Sequence, residues 1–487
     1  MKNRIIKVAL LSIGLLTVNV SCSDDFVERE FFQEVEQGPL KTVQEVESFV
    51  RGAYSGMRSQ YYYGCDFIAY GEIRSDEMVS NGASGYYQNV LAYTQVAADG
   101  YAKDTWTFIY RTVANANVVI NTDISSFKAD DKDYAGFLQG QAYAIRALNF
   151  FDLLRVYGQK YTGASTSLGI VLPLKYDPKA LQARSTIAET EAQIEADFTK
   201  ALELMEEHGG WDSGTSNRTE LSIDGLKGLM ARFYLYKGNY AKVRELAGDI
   251  IDGGAYSVVG AANLQGSYTF AMNGSAPNSI FELAVGNTGA LGTASYRHKL
   301  SNNGYANVVV NASTYALYKA NDVRRELITK SGSNYYLSFL TGTGATRGKY
   351  MNSAGADNIK MLRFEEILLD GIEAELNGGS PAKALAYYKQ LVGNRWTDIK
   401  DANGNVVQTV AQQLAAVSSI DMAELKKERT RELLGEGLRQ WDLRRWGDAV
   451  PRPTGASTDP FLNAFPIPLS ETNVGVVQPN QGYDNFK

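Results

Sequence analysis

The residues in this 487-residue chain best suited to chemistry are aromatic: 30 Tyr, 19 Phe and 5 Trp. A tyrosine ring offers a flat apolar face and a polar tip, which suits ligands that mix C–H faces with hydroxyl groups, as saccharides and peptides do. Many tyrosines stand outside any helical stripe. Tyr61, Tyr62, Tyr63, Tyr70, Tyr86, Tyr87, Tyr93 and Tyr101 crowd one Gly/Ser/Asn-rich stretch (61–105), and Tyr296, Tyr305, Tyr335 and Tyr336 lie in a second, 254–357. Tyr61, Tyr62, Tyr86 and Tyr87 are the candidate stacking platforms. Asp76 is a candidate acceptor for hydroxyl or ammonium groups, and Asn81, with Gln88 nearby, for binding hydroxyls.

Machinery for breaking bonds is thin. His208 and His298 are the only histidines, and neither has the neighbours of a metal site or a catalytic triad. Gly82-Ala83-Ser84-Gly85 lacks the Lys-Ser/Thr that completes a phosphate loop. Asp401–Asn405 has the wrong acidic spacing for calcium and no closing Glu, so it reads as an Asn-Gly hairpin turn. A carboxylate pair for glycoside hydrolysis would meet in space, not along the chain, so spacing leaves it open. The densest charge lies in Glu428–Asp448, where i,i+3 and i,i+4 partners on a helix predict a structural ion-pair network. No cofactor and no metal are expected.

The elements that would hold these residues are helical. Gln141–Tyr157 places Ala144, Leu148, Phe151 and Leu154 on one side, and Ile194–Met205 repeats the pattern. Ile223–Ile251 reads as two helices broken at Lys237-Gly238-Asn239, a turn like that of a tetratricopeptide repeat. A second copy aligns Gly379, Ala382, Lys383 and Tyr387 with Gly238, Ala241, Lys242 and Leu246. Short strands are expected within 334–340 and 347–353. The formal charge of −6 argues against nucleic acid, whose phosphates demand a basic face.

The chain opens on a basic head (Lys2, Arg4, Lys7), the apolar run Val8–Leu16 and small residues up to Ser21, which is the pattern of an export leader. The run is too short to span a bilayer, which takes about 20 residues. Cys22 at the cut predicts a lipoprotein whose thiol carries diacylglycerol, with residues 1–21 removed. Ser23-Asp24-Asp25 resembles the acidic tag that sends some lipoproteins to the outer face of the outer membrane. Cys65 is then the only thiol left, so no internal disulfide can form.

Several segments together carry a family resemblance: Cys22-Ser23-Asp24-Asp25; Trp106 and Tyr110 with Ala116-Asn117 and Ile120; Arg146-Ala147 through Phe150-Phe151-Asp152-Leu153, Arg155 and Tyr157-Gly158; the Gly238 turn; Glu428-Arg429 through Glu432-Leu433, Glu436-Gly437, Arg439 and Asp442–Gly447; and Phe465–Pro468 with Gln478-Pro479-Asn480. In this order the chain resembles the SusD/RagB family of outer-membrane nutrient-binding lipoproteins. The resemblance implies an all-α fold of tetratricopeptide-like helix pairs with long irregular loops and a few short strands. It implies one domain over 22–487, with ligand loops near 61–105 and 254–357, and a buried Trp106. It further implies a non-catalytic surface protein that captures nutrient oligomers, glycans first, and passes them to a SusC-like TonB-dependent barrel beneath it. Oligopeptide cargo is the alternative, for which the acidic Ala129–Asp133 segment would serve as an attractor of cationic peptides.

Overall fold

Local signals in the sequence set the helix starts. The computed structural model describes residues 38–159, 161 and 165–483; Cys22 and the leader lie outside them. Thr42 caps the helix Val43–Met57 through a reciprocal pair with Glu45, and Thr186 does the same with Glu189 for Ile187–Glu207. From residue 41 onward the described chain forms one compact unit. Helices Val43–Met57, Gly100–Ile120, Ala129–Tyr157, Ile187–Glu207 and Ile223–Lys237 pack against one another along it.

The helix expected over 141–157 begins earlier, at Ala129. The acidic 129–133 segment is therefore its first turn, where Asp130 and Asp131 complement the helix dipole, and no loop exists there to attract a peptide. Almost every residue from Ala135 to Tyr157 is buried, because helices 43–57, 100–120 and 187–207 all pack on it.

The two repeat-like pairs are present as Ile223–Lys237 with Tyr240–Gly253 and Phe364–Leu376 with Pro381–Val392. Helix 240–253 packs on 364–376, so the pairs are neighbours. Gly238 takes φ +68° at the first turn, but at the second the left-handed residue is Gly378 (φ +93°), not the aligned Gly379. Gly379 is needed for space instead: a Cβ there would sit 2.1 Å from a Glu375 carboxylate oxygen.

Five two-stranded antiparallel ladders decorate the helices among the described residues, including Thr329–Ser331 with Asn334–Tyr336 and Ser338–Leu340 with Thr346–Gly348. The hairpin at 401–405 is also there, with the Asp401 carboxylate bonded to the Asn403 and Asn405 N–H groups. The 61–105 stretch is less loop-like than its composition implied: it contains helices Asp66–Ile73 and Gln88–Ala92. Asp66–Ile73 is buried on every side, so it has no apolar stripe to read.

The charged block is two helices, Met422–Leu433 and Arg439–Trp446, separated by a turn in which Gly435 and Gly437 have φ +82° and +78°. Local pairs do form, Arg431 with Glu428 and Arg445 with Asp442. The main partners, however, come from far away: Arg324, Lys349, Arg363 and Arg395 all reach into the block.

Candidate functional site

Strand Met78–Ser80 pairs with Val308–Val310, placing Val79 opposite Val309 and Ser80 opposite Val308. This ladder brings the loop that follows the first strand, 81–87, beside the loop that precedes the second, 301–307. The loops are then stitched together. Asn81 N–H donates to the Asn307 carbonyl at 2.8 Å and Asn81 Nδ2 to the Ala306 carbonyl at 2.9 Å. Ser80 Oγ donates to the Tyr86 carbonyl at 2.8 Å. Asn302 bonds strand 338–340 in both directions at Leu340, which fixes the second loop from behind.

Two rings meet across this seam. Tyr86 and Tyr305 stand 4.9 Å apart between centroids and inclined at 48°, each only partly buried. The Tyr305 side chain beside it, with burial second, raises the Tyr86 phenol above its ordinary value. Lys299, on the short helix Tyr296–Leu300, sets its ammonium 3.2 Å from the Tyr86 centroid and 4.4 Å from that of Tyr305. His298 lies edge-on to Tyr305 at 4.6 Å; burial, then the neighbouring Arg297 and Lys299 charges, lowers its pKa.

Backbone strain marks the same place. The non-glycine residues with positive φ among those described are Tyr87 (63°), Tyr93 (57°) and Ala306 (53°), and two of them directly follow the paired rings. Each such conformation costs about 1–2 kcal/mol and persists only where surrounding contacts impose it. Tyr87 is so held: it is fully buried, its hydroxyl donates to Asp66 Oδ1 at 2.6 Å, and its N–H donates to the Tyr101 hydroxyl at 3.2 Å. Burial raises Asp66 to about 6, although the Tyr87 hydrogen bond pulls the other way. Tyr87 is thus the anchor and Tyr86 the displayed ring. Gly304 serves the second loop, since a Cβ there would lie 2.2 Å from the His298 carbonyl oxygen. Gly304→Ala is expected to displace Tyr305 and weaken ligand binding about tenfold or more while the unfolding midpoint moves little; isothermal titration beside a denaturation curve checks both.

The sequence-derived candidates separate in space. Asn81, Tyr86 and Tyr87 come together at the seam, and Gln88 donates to Ser80 Oγ beside it. Tyr62 does not join them: it is 0% exposed, with its hydroxyl on the Asp152 carboxylate in the core. Tyr61 packs on Phe108 at 4.9 Å, a ring also covered by Arg111, and makes no ring contact with Tyr86 or Tyr305. The Asp76 carboxylate is taken by Arg439 in a two-pronged pair at 2.7 and 2.8 Å, which ties down helix 439–446. Trp106 is core, as expected. Lys299 and Asn307 escaped the sequence reading, and Tyr305 was read only as one of a cluster. The available signal was the basic triplet Arg297-His298-Lys299 running into Ser301-Asn302-Asn303-Gly304-Tyr305, cations followed by a turn and an aromatic.

Each loop of the seam falls in a different matched region when the chain is compared with known proteins. A SusD-like family model, described as starch-binding and associating with the outer membrane, matches residues 31–235, and the SusD family model matches 301–472. A SusD-like protein P2 from Formosa agariphila is 23% identical, over 98% of this chain and 100% of its own. A putative sugar binding protein from Bacteroides vulgatus has a similar fold, with TM-score 0.78 and 24% identity over 92% of this chain and 100% of that one. So has a SusD superfamily protein from Bacteroides thetaiotaomicron, with TM-score 0.74 and 22% identity over 90% and 100%. With two models of one family placed on either side of the seam, and with the helix-rich scaffold of short decorating ladders that these structures share, the chain belongs to the SusD/RagB family.

Proposed function

We propose that this protein is a lipid-anchored protein of the outer-membrane surface that captures saccharide oligomers on the Tyr86–Tyr305 pair and delivers them to a SusC-like TonB-dependent barrel. The observation that carries this reading is the pair itself. Two partly exposed rings stand 4.9 Å apart on strained, rigidly held loops, and the segments that carry them also bear the side-chain amides of Asn81, Gln88 and Asn303. Such rings bind the C–H faces of a sugar while amides and hydroxyls orient it. Capture would need no bond to be broken, and the proposed role is non-catalytic. Cys22 would supply the anchor and residues 22–487 the single binding body; no helix among the described residues is long and apolar enough to cross a membrane. The sugar-binding description of the B. vulgatus structure supports saccharide as the cargo.

The test uses the full-length chain in detergent, titrated calorimetrically against a panel of polysaccharides and mixed oligopeptides, with chromatography of the saccharide afterwards. The expected result is binding to a saccharide that is recovered at its original length, weakened about tenfold to hundredfold in Tyr305→Ala, the usual scale for an anchoring aromatic. Binding to peptides alone would replace the cargo, and shortening of the saccharide would replace the mechanism.

A further inference from the structure

Lys299 is treated differently from Lys349, the other buried lysine among the described residues. The side chain of Lys349 has comparable burial and is fully satisfied, with Glu436 and the Glu432 carbonyl each at 2.7 Å. Lys299 is 5% exposed, yet among the described residues its ammonium has no carboxylate within ion-pair distance and no hydrogen-bond acceptor; its close partners are the Tyr86 and Tyr305 ring faces. Asp66, whose charge reaches Lys299 without pairing with it, is taken by the Tyr87 hydroxyl. Burial draws the Lys299 pKa down, and Asp66, Cys65 and Tyr305 only partly oppose it. Arg297, two residues away on the same short helix, also has no carboxylate within ion-pair distance among the described residues: it donates to the Asn303 amide oxygen, and its Nε is buried without a partner. Buried cations are ordinarily paired. An ammonium without a carboxylate partner, set against the rings that the two loops display in a chain of net charge −6, is a positive site open to a counter-charge from outside.

Resting on the saccharide-capture reading above, we infer that the cradle selects acidic saccharides, with an anionic substituent accepting from the Lys299 ammonium while the sugar ring lies against Tyr86 and Tyr305. A uronate carboxylate and a sulfate ester share the required chemistry, an oxyanion held equatorially or on a short arm at the edge of a stackable ring. Charge-assisted contacts of this kind are among the strongest single hydrogen bonds available to a binding site. The two Tyr faces keep the ammonium in place when the site is empty, so little ordering remains to be done on binding.

The experiment titrates the full-length chain in detergent with oligogalacturonate, carrageenan oligosaccharides and the neutral maltoheptaose and xylohexaose. The first two distinguish carboxylate from sulfate. At least one acidic probe is expected to bind about tenfold or more tighter than either neutral probe, and raising salt from about 0.05 to 0.5 M should weaken the acidic probe alone. Lys299→Met, which keeps the length of the stem, is expected to weaken the acidic probe about 10- to 100-fold and remove the preference for acidic over neutral probes, and Lys299→Arg to retain the preference. The wild-type salt dependence stands even if Lys299→Met folds poorly. Equal affinity for acidic and neutral probes, or no binding of any acidic probe, overturns the inference. So does Lys299→Met leaving acidic binding intact while Tyr305→Ala abolishes it; in that case the cradle stands and only the charge selection falls. Should Tyr305→Ala leave saccharide binding untouched, the cradle reading itself fails and the selection with it.

Discussion

Glu432→Gln is expected to lower the unfolding free energy by about 3–5 kcal/mol, the cost of breaking a buried ion pair from one side. Glu432 is 1% exposed and accepts from three arginines: Arg395 at 2.8 Å, Arg363 at 3.0 Å and Arg324 at 3.0 Å. Burial alone would raise its pKa, but the three guanidinium groups, Arg395 foremost, hold it well below the ordinary carboxylate range. Glutamine keeps the shape while removing the charge, and turns an N–H₂ group toward cations that are themselves donors. The arginines arrive from the 323–327 turn, from the end of strand Ile359–Arg363 and from the turn after helix 381–392, so one side chain ties three distant parts of the fold to helix 422–433. A denaturant midpoint measured for both proteins at neutral pH checks the value. The sign with pH follows from the depressed pKa: the stability Glu432 supplies is fully present above the unfolded carboxylate pKa and is lost as pH falls toward the folded one. The variant should therefore lose less on acidification than the wild type. A difference under about 1 kcal/mol at pH 7 would put this network in the class of solvent-screened pairs, against its burial.

The same network shows what the sequence could and could not display. Alternating charges in Glu428–Asp448 announced ion pairing, because Glu428 with Arg431 and Asp442 with Arg445 are close along one helix. Arg324, Arg363 and Arg395 carried no such signal: their partners within that block are between 37 and 108 residues away, and only the fold joins them. The helix pairs were legible for a local reason, a Gly turn between apolar stripes, and Gly238 behaves as read. At the proposed ligand site the tyrosine-rich loops were legible by composition alone. Which tyrosines face outward was not, because Tyr86 and Tyr87 are adjacent and identical in type. Their division of labour comes from Asp66 and Tyr101, which capture the hydroxyl and the N–H of Tyr87 and leave its neighbour on display. Tyr62 and Tyr63 went the other way for a similar reason: both hydroxyls donate to Asp152, which draws them into the core. A tyrosine's place is set by who claims its hydroxyl, and that claimant is seldom near in sequence.

Stability should also fall as pH rises through neutrality, by about 1.4 kcal/mol per pH unit for each proton the folded state must release. The source lies just before strand Met78–Ser80 in the chain. Glu72 and Glu77 are both buried, at 0% and 2% exposure, and burial, the largest cause in each, raises Glu72 to about 7 and Glu77 well above the ordinary carboxylate range, with the Glu72 charge adding to the second. Glu72 Oε1 accepts the Gly437 N–H at 2.6 Å, but its Oε2 is buried without a donor unless Glu77 carries a proton. Arg439 stands 3.7 Å from Glu77 and is mainly engaged by Asp76, while Lys349 acts on Glu72 from farther away; neither neutralises a second buried charge. The pair thus shares a proton in the folded state that the unfolded chain has already lost. For an acid with a raised folded pKa the linkage runs opposite to that of Glu432: its contribution is most favourable at low pH and declines as pH climbs from the unfolded value through about 7. Glu72→Gln supplies the missing N–H donor and removes one charge, so the variant should be nearly flat between pH 6.5 and 8.5 and more stable than the wild type at the upper end (both limits approximate). Strand Met78–Ser80 starts one residue after Glu77 and carries the 81–87 loop, so the alkaline loss should first appear as faster hydrogen exchange in that strand. Parallel denaturation curves for wild type and variant across this range would sink the shared proton, and an unchanged exchange rate at 78–80 would separate it from the ligand loops.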